Sequence, residues 1–174
     1  NRPLPGQTGN PACSAAPSLL LLLFYCSAAA PASWSRQATS PTTDAFFDSN
    51  GVRIHYVIAG TGDPLVLVHG FSGSAASIGS VQKDLARNYR VIALDCRGHG
   101  KSDKPHEPEK YGREMSEDLA RLLNHLRIPA AHIVGYSMGA RIVSRFLVDH
   151  PEMVVSAVIG GAGPEIAGIA SPTA

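Results

Sequence analysis

The chain has only three cysteines in 174 residues, too few for a disulfide framework. Two of them, Cys13 and Cys26, lie in an N-terminal stretch described below, which leaves Cys96 alone. Neither charge is in excess: 15 Lys and Arg against 14 Asp and Glu give a formal net charge of +1. With no basic surplus to neutralise phosphates, nucleic acid is excluded as the main partner. No apolar run is long enough for a comfortable bilayer span, since the run at 19–25 is short and follows Pro17. A mean hydropathy of +0.02 excludes a polytopic membrane protein. No internal repeat is visible. What remains is a globular composition, 44% hydrophobic, in a length that fits one ordinary domain.

Residues 1–44 differ from the rest. Arg2 is the only charged residue before Arg36. The apolar run leads into small residues at 27–30, and Ala30-Pro31-Ala32 has the form of an A-x-A cleavage site. A short apolar core followed by small residues is what signal peptidase requires. Residues 1–32 are therefore read as a signal peptide or leader. Residues 33–44, rich in Ser, Thr, Ala and Pro, are read as a linker. A genuine signal peptide implies export to the periplasm or outside the cell, with no stable membrane insertion after its removal. The alternative is upstream sequence that is not normally translated, which implies a cytoplasmic protein.

From Ala45 the punctuation becomes regular. Phe46-Phe47, Asn50-Gly51 and residues 52–58 predict a hairpin, because Asn-Gly supplies the positive φ of a tight turn. Residues 65–68 and 90–94 are short apolar runs, as expected of strands buried on both faces. Val81 and Leu85 predict a helix between them. Met115, Leu119, Leu122, Leu123 and Leu126 fall at helical spacing on one apolar face. Residues 131–134 predict a strand, 138–149 a helix stopped by Pro151, and 154–159 a further buried strand. Strands alternating with helices of this length imply parallel pairing with right-handed crossovers.

Three motifs carry the chemistry. Gly135-Tyr136-Ser137-Met138-Gly139 fits G-x-S-x-G and lies between a predicted strand and a predicted helix. A serine on so sharp a turn takes a strained conformation, and its neighbours two positions away must be tiny. Gly135 and Gly139 meet that demand. The first helical N–H groups then face any negative charge that forms at the Ser137 hydroxyl. The second motif, His69-Gly70-Phe71, follows the strand at 65–68. Gly70 permits a tight turn that leaves the Phe71 N–H free to point into the site. Paired with the Met138 N–H it would form an oxyanion hole, each donor being worth on the order of 3 kcal/mol in the transition state. The third, residues 95–105, is polar and carries Gly98 and Gly100. It reads as a loop-shaping segment, pinned by an ion pair between Asp95 and Arg97. His99 and Asp103 are too close in sequence to favour a catalytic pairing.

Together these motifs resemble the α/β-hydrolase superfamily over about residues 46–163. The resemblance implies a mostly parallel sheet with an antiparallel N-terminal hairpin. It implies Ser137 as nucleophile, the Phe71 and Met138 amides as oxyanion hole, and a small-molecule acyl substrate. Ser137 would attack an ester-like carbonyl, and water would release the acid from an acyl-enzyme. No cofactor and no metal are implied. Epoxide hydrolases and haloalkane dehalogenases carry aspartate at the elbow, so serine argues against both. C–C bond hydrolases and cofactor-free perhydrolases share the serine, the hole and the fold. A non-catalytic hydrolase-like binding protein is the reading from another class.

A serine hydroxyl is a poor nucleophile without a base. The seven histidines are at 55, 69, 99, 106, 125, 132 and 150, and none has a position that makes it the base. His69 reads as a packing and hydrogen-bonding residue. Glu165 is a weak candidate for the acid. In the superfamily the cap, the acid and the histidine follow the sixth strand. A sheet stopped there would also expose an apolar edge. The sequence is therefore expected to be the N-terminal part of a longer hydrolase, without its cap and last strands, and inactive as it stands.

Overall fold

A computed structural model describes residues 42–161. The leader, residues 33–41 of the linker and Glu165 lie outside them. The hairpin consists of β1 (Thr43–Asp48) and β2 (Arg53–Ala59), paired antiparallel. Its turn has φ of 56° at Asn50 and 77° at Gly51, closed by the Ser49 N–H donating to the Val52 carbonyl at 2.8 Å. Both left-handed positions are where an Asn-Gly turn requires them. The linker ends earlier than expected. Thr43 already pairs with Ile58, and Asp44 is held by the His55 ring at 2.8 Å and the Lys101 ammonium at 2.8 Å. Two side-chain partners fix a segment whose composition alone reads as unstructured.

The remaining elements are β3 (Asp63–Val68), α1 (Gly79–Leu85), β4 (Tyr89–Leu94), α2 (Arg113–His125), β5 (Ala131–Tyr136), α3 (Met138–Asp149) and β6 (Val154–Gly160). The six strands form one sheet in the order β1-β2-β4-β3-β5-β6. Only β1–β2 and β2–β4 are antiparallel; β4, β3, β5 and β6 run parallel. The mixed α/β sheet and its antiparallel hairpin are those the resemblance implies.

The strand period of two sorts the apolar runs between two cores. Val66, Val68, Ile92, Leu94 and Ile133 pack with Leu119, Leu122 and Leu123 of α2 and with Val143 and Phe146 of α3. Leu65, Leu67, Val91 and Ala93 point to the other face, where Ile78 and Leu85 cover them. The continuous apolar runs therefore serve both faces at once. Two expectations change. Val81 is 50% exposed, and α1 instead turns Gln82 inward, whose amide donates to the Val57 and Val91 carbonyls. β6 is not a buried strand: Val155 and Val158 are each 58% exposed. It pairs with β5 and, among the described residues, with no other strand. No helix among the described residues is long and apolar enough to cross a membrane.

Candidate active site

The end of β5 turns into α3 at Ser137, whose φ is 53° and ψ −112°. A non-glycine residue enters this region only where its surroundings over-determine it, at a cost of order 1–3 kcal/mol. The constraints are visible. The Ser137 N–H donates to the Gly160 carbonyl at 2.7 Å, and its own carbonyl accepts from the Ala140 and Arg141 amides. A Cβ on Gly135 would meet the Gly139 carbonyl oxygen at 2.4 Å, and one on Gly139 the Val68 carbonyl oxygen at 2.2 Å. The two glycines thus answer different contacts: Gly135 lets α3 close on β5, and Gly139 lets α3 rest on the end of β3. Met138 is the first helical residue, so its N–H has no acceptor within α3.

The His69-Gly70-Phe71 turn lies against this elbow. A Cβ on Gly70 would stand 3.3 Å from the Ser137 Cβ. The Gly70 carbonyl accepts from the Gly73 N–H at 3.0 Å and from His69 Nδ1 at 2.8 Å. In a trans peptide the N–H points opposite to the preceding C=O. Anchoring the Gly70 carbonyl therefore also fixes the direction of the Phe71 N–H. His69 Nε2 accepts from the Cys96 N–H at 3.0 Å. With one nitrogen donating and the other accepting, His69 is neutral, and its burial lowers its pKa. It has no lone pair left to act as a base.

The third motif wraps around Asp95. Its carboxylate accepts from the Ala75 N–H at 2.6 Å, the Lys101 N–H at 2.7 Å and the His55 ring at 2.9 Å. Gly100, at φ 50°, has no space for a side chain, since a Cβ would lie 2.2 Å from the Asp95 carboxyl carbon. Ser102 donates to the Asp95 carbonyl and accepts from the His55 N–H. The expected pairing of Asp95 with Arg97 does not form. Arg97 is fully buried and forks onto Asp118 of α2, at 2.7 Å from Nε and 2.6 Å from Nη2, and also reaches the Lys110 carbonyl. Asp95 is saturated by backbone amides and His55, whereas Asp118 would otherwise be an unpaired charge in the core. Sequence reasoning missed Asp118. A usable signal existed: it shares the face of α2 that carries Met115, Leu119 and Leu122, where an acid demands a partner.

Three of the other histidines are engaged elsewhere. His125 stacks on Phe47, His132 bonds Ser156 and His150 bonds Glu117. His106 is exposed. His99 packs edge-on to the Phe71 ring at 5.8 Å, and its Nδ1 lies 3.2 Å from the Arg97 carbonyl. Among the described residues no histidine or carboxylate hydrogen-bonds Ser137, and no cluster of His, Cys, Asp and Glu has the makings of a metal site. The structure thus brings Ser137, Met138, Gly135, Gly139, Gly70 and Phe71 to one place, and leaves His99 beside them.

The family described as alpha/beta hydrolase fold matches residues 63–172. A soluble epoxide hydrolase from Corynebacterium is 38% identical over 105 residues, 60% of this chain and 36% of that protein. An sn-1-specific diacylglycerol lipase of Danio rerio is 33% identical over 129 residues, 71% of this chain and 40% of that protein. The crystal structure of epoxide hydrolase A from Mycobacterium thermoresistibile superposes with a TM-score of 0.65 at 31% identity, covering 69% of this chain and 39% of that one. The chain spans less than half the length of the curated relatives it matches.

Proposed function

Since the chain belongs to the alpha/beta hydrolase family, we propose that Ser137 is the nucleophile of a hydrolase acting on a carboxylic ester or related acyl compound. The observation that carries this reading is the φ of 53° that lifts Ser137 out of the helix, with the Gly70 backbone beside it. The Phe71 and Met138 N–H groups serve as the oxyanion hole. They meet charge that develops on the carbonyl oxygen as the Ser137 oxygen bonds to carbon.

The serine itself separates the chemistries found among the relatives. An aspartate that opens an epoxide leaves an ester, which water cleaves at its carbonyl. A serine that did so would leave an ether, with no carbonyl for water to attack. Turnover at Ser137 therefore requires an acyl carbon in the substrate. This favours the lipase-like over the epoxide-opening reaction. Among the described residues no histidine is hydrogen-bonded to Ser137, and none is assigned as the base that takes its proton.

A fluorophosphonate probe tests this in the full-length protein. It is expected to label the wild type and to leave Ser137→Ala unlabelled. Label that survives the substitution overturns the assignment.

A further inference from the structure

His55 lies between two carboxylates. Its Nδ1 is 2.9 Å from Asp95 Oδ2, and its Nε2 is 2.8 Å from Asp44 Oδ1. A carboxylate only accepts, and a neutral imidazole has one N–H to give. Both contacts are hydrogen bonds at once only while the ring carries two protons. Neither acid is placed to supply a proton instead. Asp95 already accepts from the Ala75 and Lys101 backbone N–H groups, and Asp44 accepts from the Lys101 ammonium. That ammonium first, and the His55 ring second, hold the Asp44 carboxyl below its ordinary range.

The two carboxylates differ in surroundings. The His55 and Asp95 side chains are each 3% exposed, whereas that of Asp44 is 52% exposed. A ring that loses one proton keeps the other on Nδ1, because an unmet charge costs more on the buried side. The Nε2 lone pair then faces the Asp44 carboxylate, which can turn to water. A cavity of about 220 Å³, lined in part by Asp44, His55, Asp95, Gln82 and Lys101, gives it room. To that lining α1 brings the neutral Gln82 and Gly79 and no charge. Arg53 of β2 acts through Phe46: its guanidinium stands 3.6 Å over the Phe46 ring, whose centroid is 4.9 Å from that of His55.

We propose that His55 is a pH-operated latch on β1: protonated, it ties Asp44 to the sheet, and neutral, it releases the first residues of the strand. Among the described residues β1 pairs only with β2. Phe47 is buried and anchors the far end of β1 in the core, so the opening runs from Thr43 to Phe46. The protonated ring makes one more hydrogen bond than the neutral ring. The hold on β1 is therefore present on the acid side and is lost as the pH rises through the titration of His55. Release bares the backbone of β2 from His55 to Ile58 as an open sheet edge.

Hydrogen exchange on the full-length protein tests the latch, at about pH 5.5 and about pH 8.5 on either side of the usual histidine range. Protection of the Thr43–Phe46 amides is measured relative to β3 and corrected for the intrinsic pH dependence of exchange. In the wild type it is expected to fall roughly tenfold between the two pH values. Nitrogen-15 NMR should show both His55 ring nitrogens protonated on the acid side, and one proton lost over the same pH interval. Asp44→Asn is expected to abolish the fall, because the asparagine amide offers Nε2 either an oxygen or an N–H and so suits both states of the ring. Lys101→Met is expected to keep it, because the ammonium does not titrate in this range. A wild type without the fall overturns the proposal, as does a ring already neutral on the acid side. A fall undiminished in Asp44→Asn, or lost in Lys101→Met, also overturns it.

Discussion

His69 shows how much a single ring can fix. A carbonyl only accepts and an amide only donates, so the Gly70 and Cys96 contacts hold the proton on Nδ1 and leave Nε2 bare. Burial lowers its pKa from 6.5, and the bond to Gly70 opposes that shift. The folded chain thus keeps His69 neutral where the unfolded chain already takes up a proton. Its contribution to stability is full above about pH 6.5 and is lost as the pH falls through the lower folded value. Nitrogen-15 NMR should find Nδ1 protonated and Nε2 unprotonated at neutral pH. His69→Ala removes one of the two anchors of the Gly70 carbonyl and, if Ser137 acts as proposed, should lower kcat roughly tenfold to a hundredfold with a smaller change in KM. Cys96 is the opposite case. Burial first, then Asp118 and Asp95, push its thiol up to about 12. At pH 8 a thiol reagent should leave it untouched until the protein is unfolded. The turn at Ser137 was legible, because it answers a local backbone demand, whereas Gly70 leaves room for Ser137 and Tyr136, which are distant in the sequence. The tautomer of His69 was not readable, since its partner amide lies 27 residues away.

At the scale of elements, the buried Arg97–Asp118 pair joins the loop after β4 to α2. Ser49 of the hairpin turn and Arg121 add to it, the Ser49 hydroxyl donating to Asp118 and Arg121 lying 2.9 Å from Glu114. The apolar faces of α2 and α3 were legible because periodicity is a local signal. Arg97 was misassigned to Asp95 because proximity in sequence is a poor guide to a partner in a turning loop. Removing one member strands the other in the core. Asp118→Ala should cost about 3–5 kcal/mol by chemical denaturation. The double replacement Arg97→Met with Asp118→Leu should cost less than that single change, because no charge is then left unpaired. Equal or greater loss in the double variant would mean that the pair is worth more than the apolar packing replacing it.

For the whole molecule, the alternation of strands and helices was readable, but the order of the sheet was not. β4 enters between β2 and β3, and nothing within either segment marks the other as its neighbour. The order matters for where the sheet is strongest. β3 and β4 have strands on both sides, and their side chains are divided between two cores. β6 pairs with β5 and leaves Val155 and Val158 open to water. Opening β6 exposes the half-buried Val154, Ala157 and Ile159, whereas opening β3 separates both cores. Local opening should therefore follow the sheet outward from the centre. Hydrogen exchange on the 174-residue chain is expected to be slowest in β3 and β4 and clearly faster in β6. Protection in β6 equal to that in β3 would show that β6 opens only with the whole sheet, and that its exposed valines are no measure of its stability.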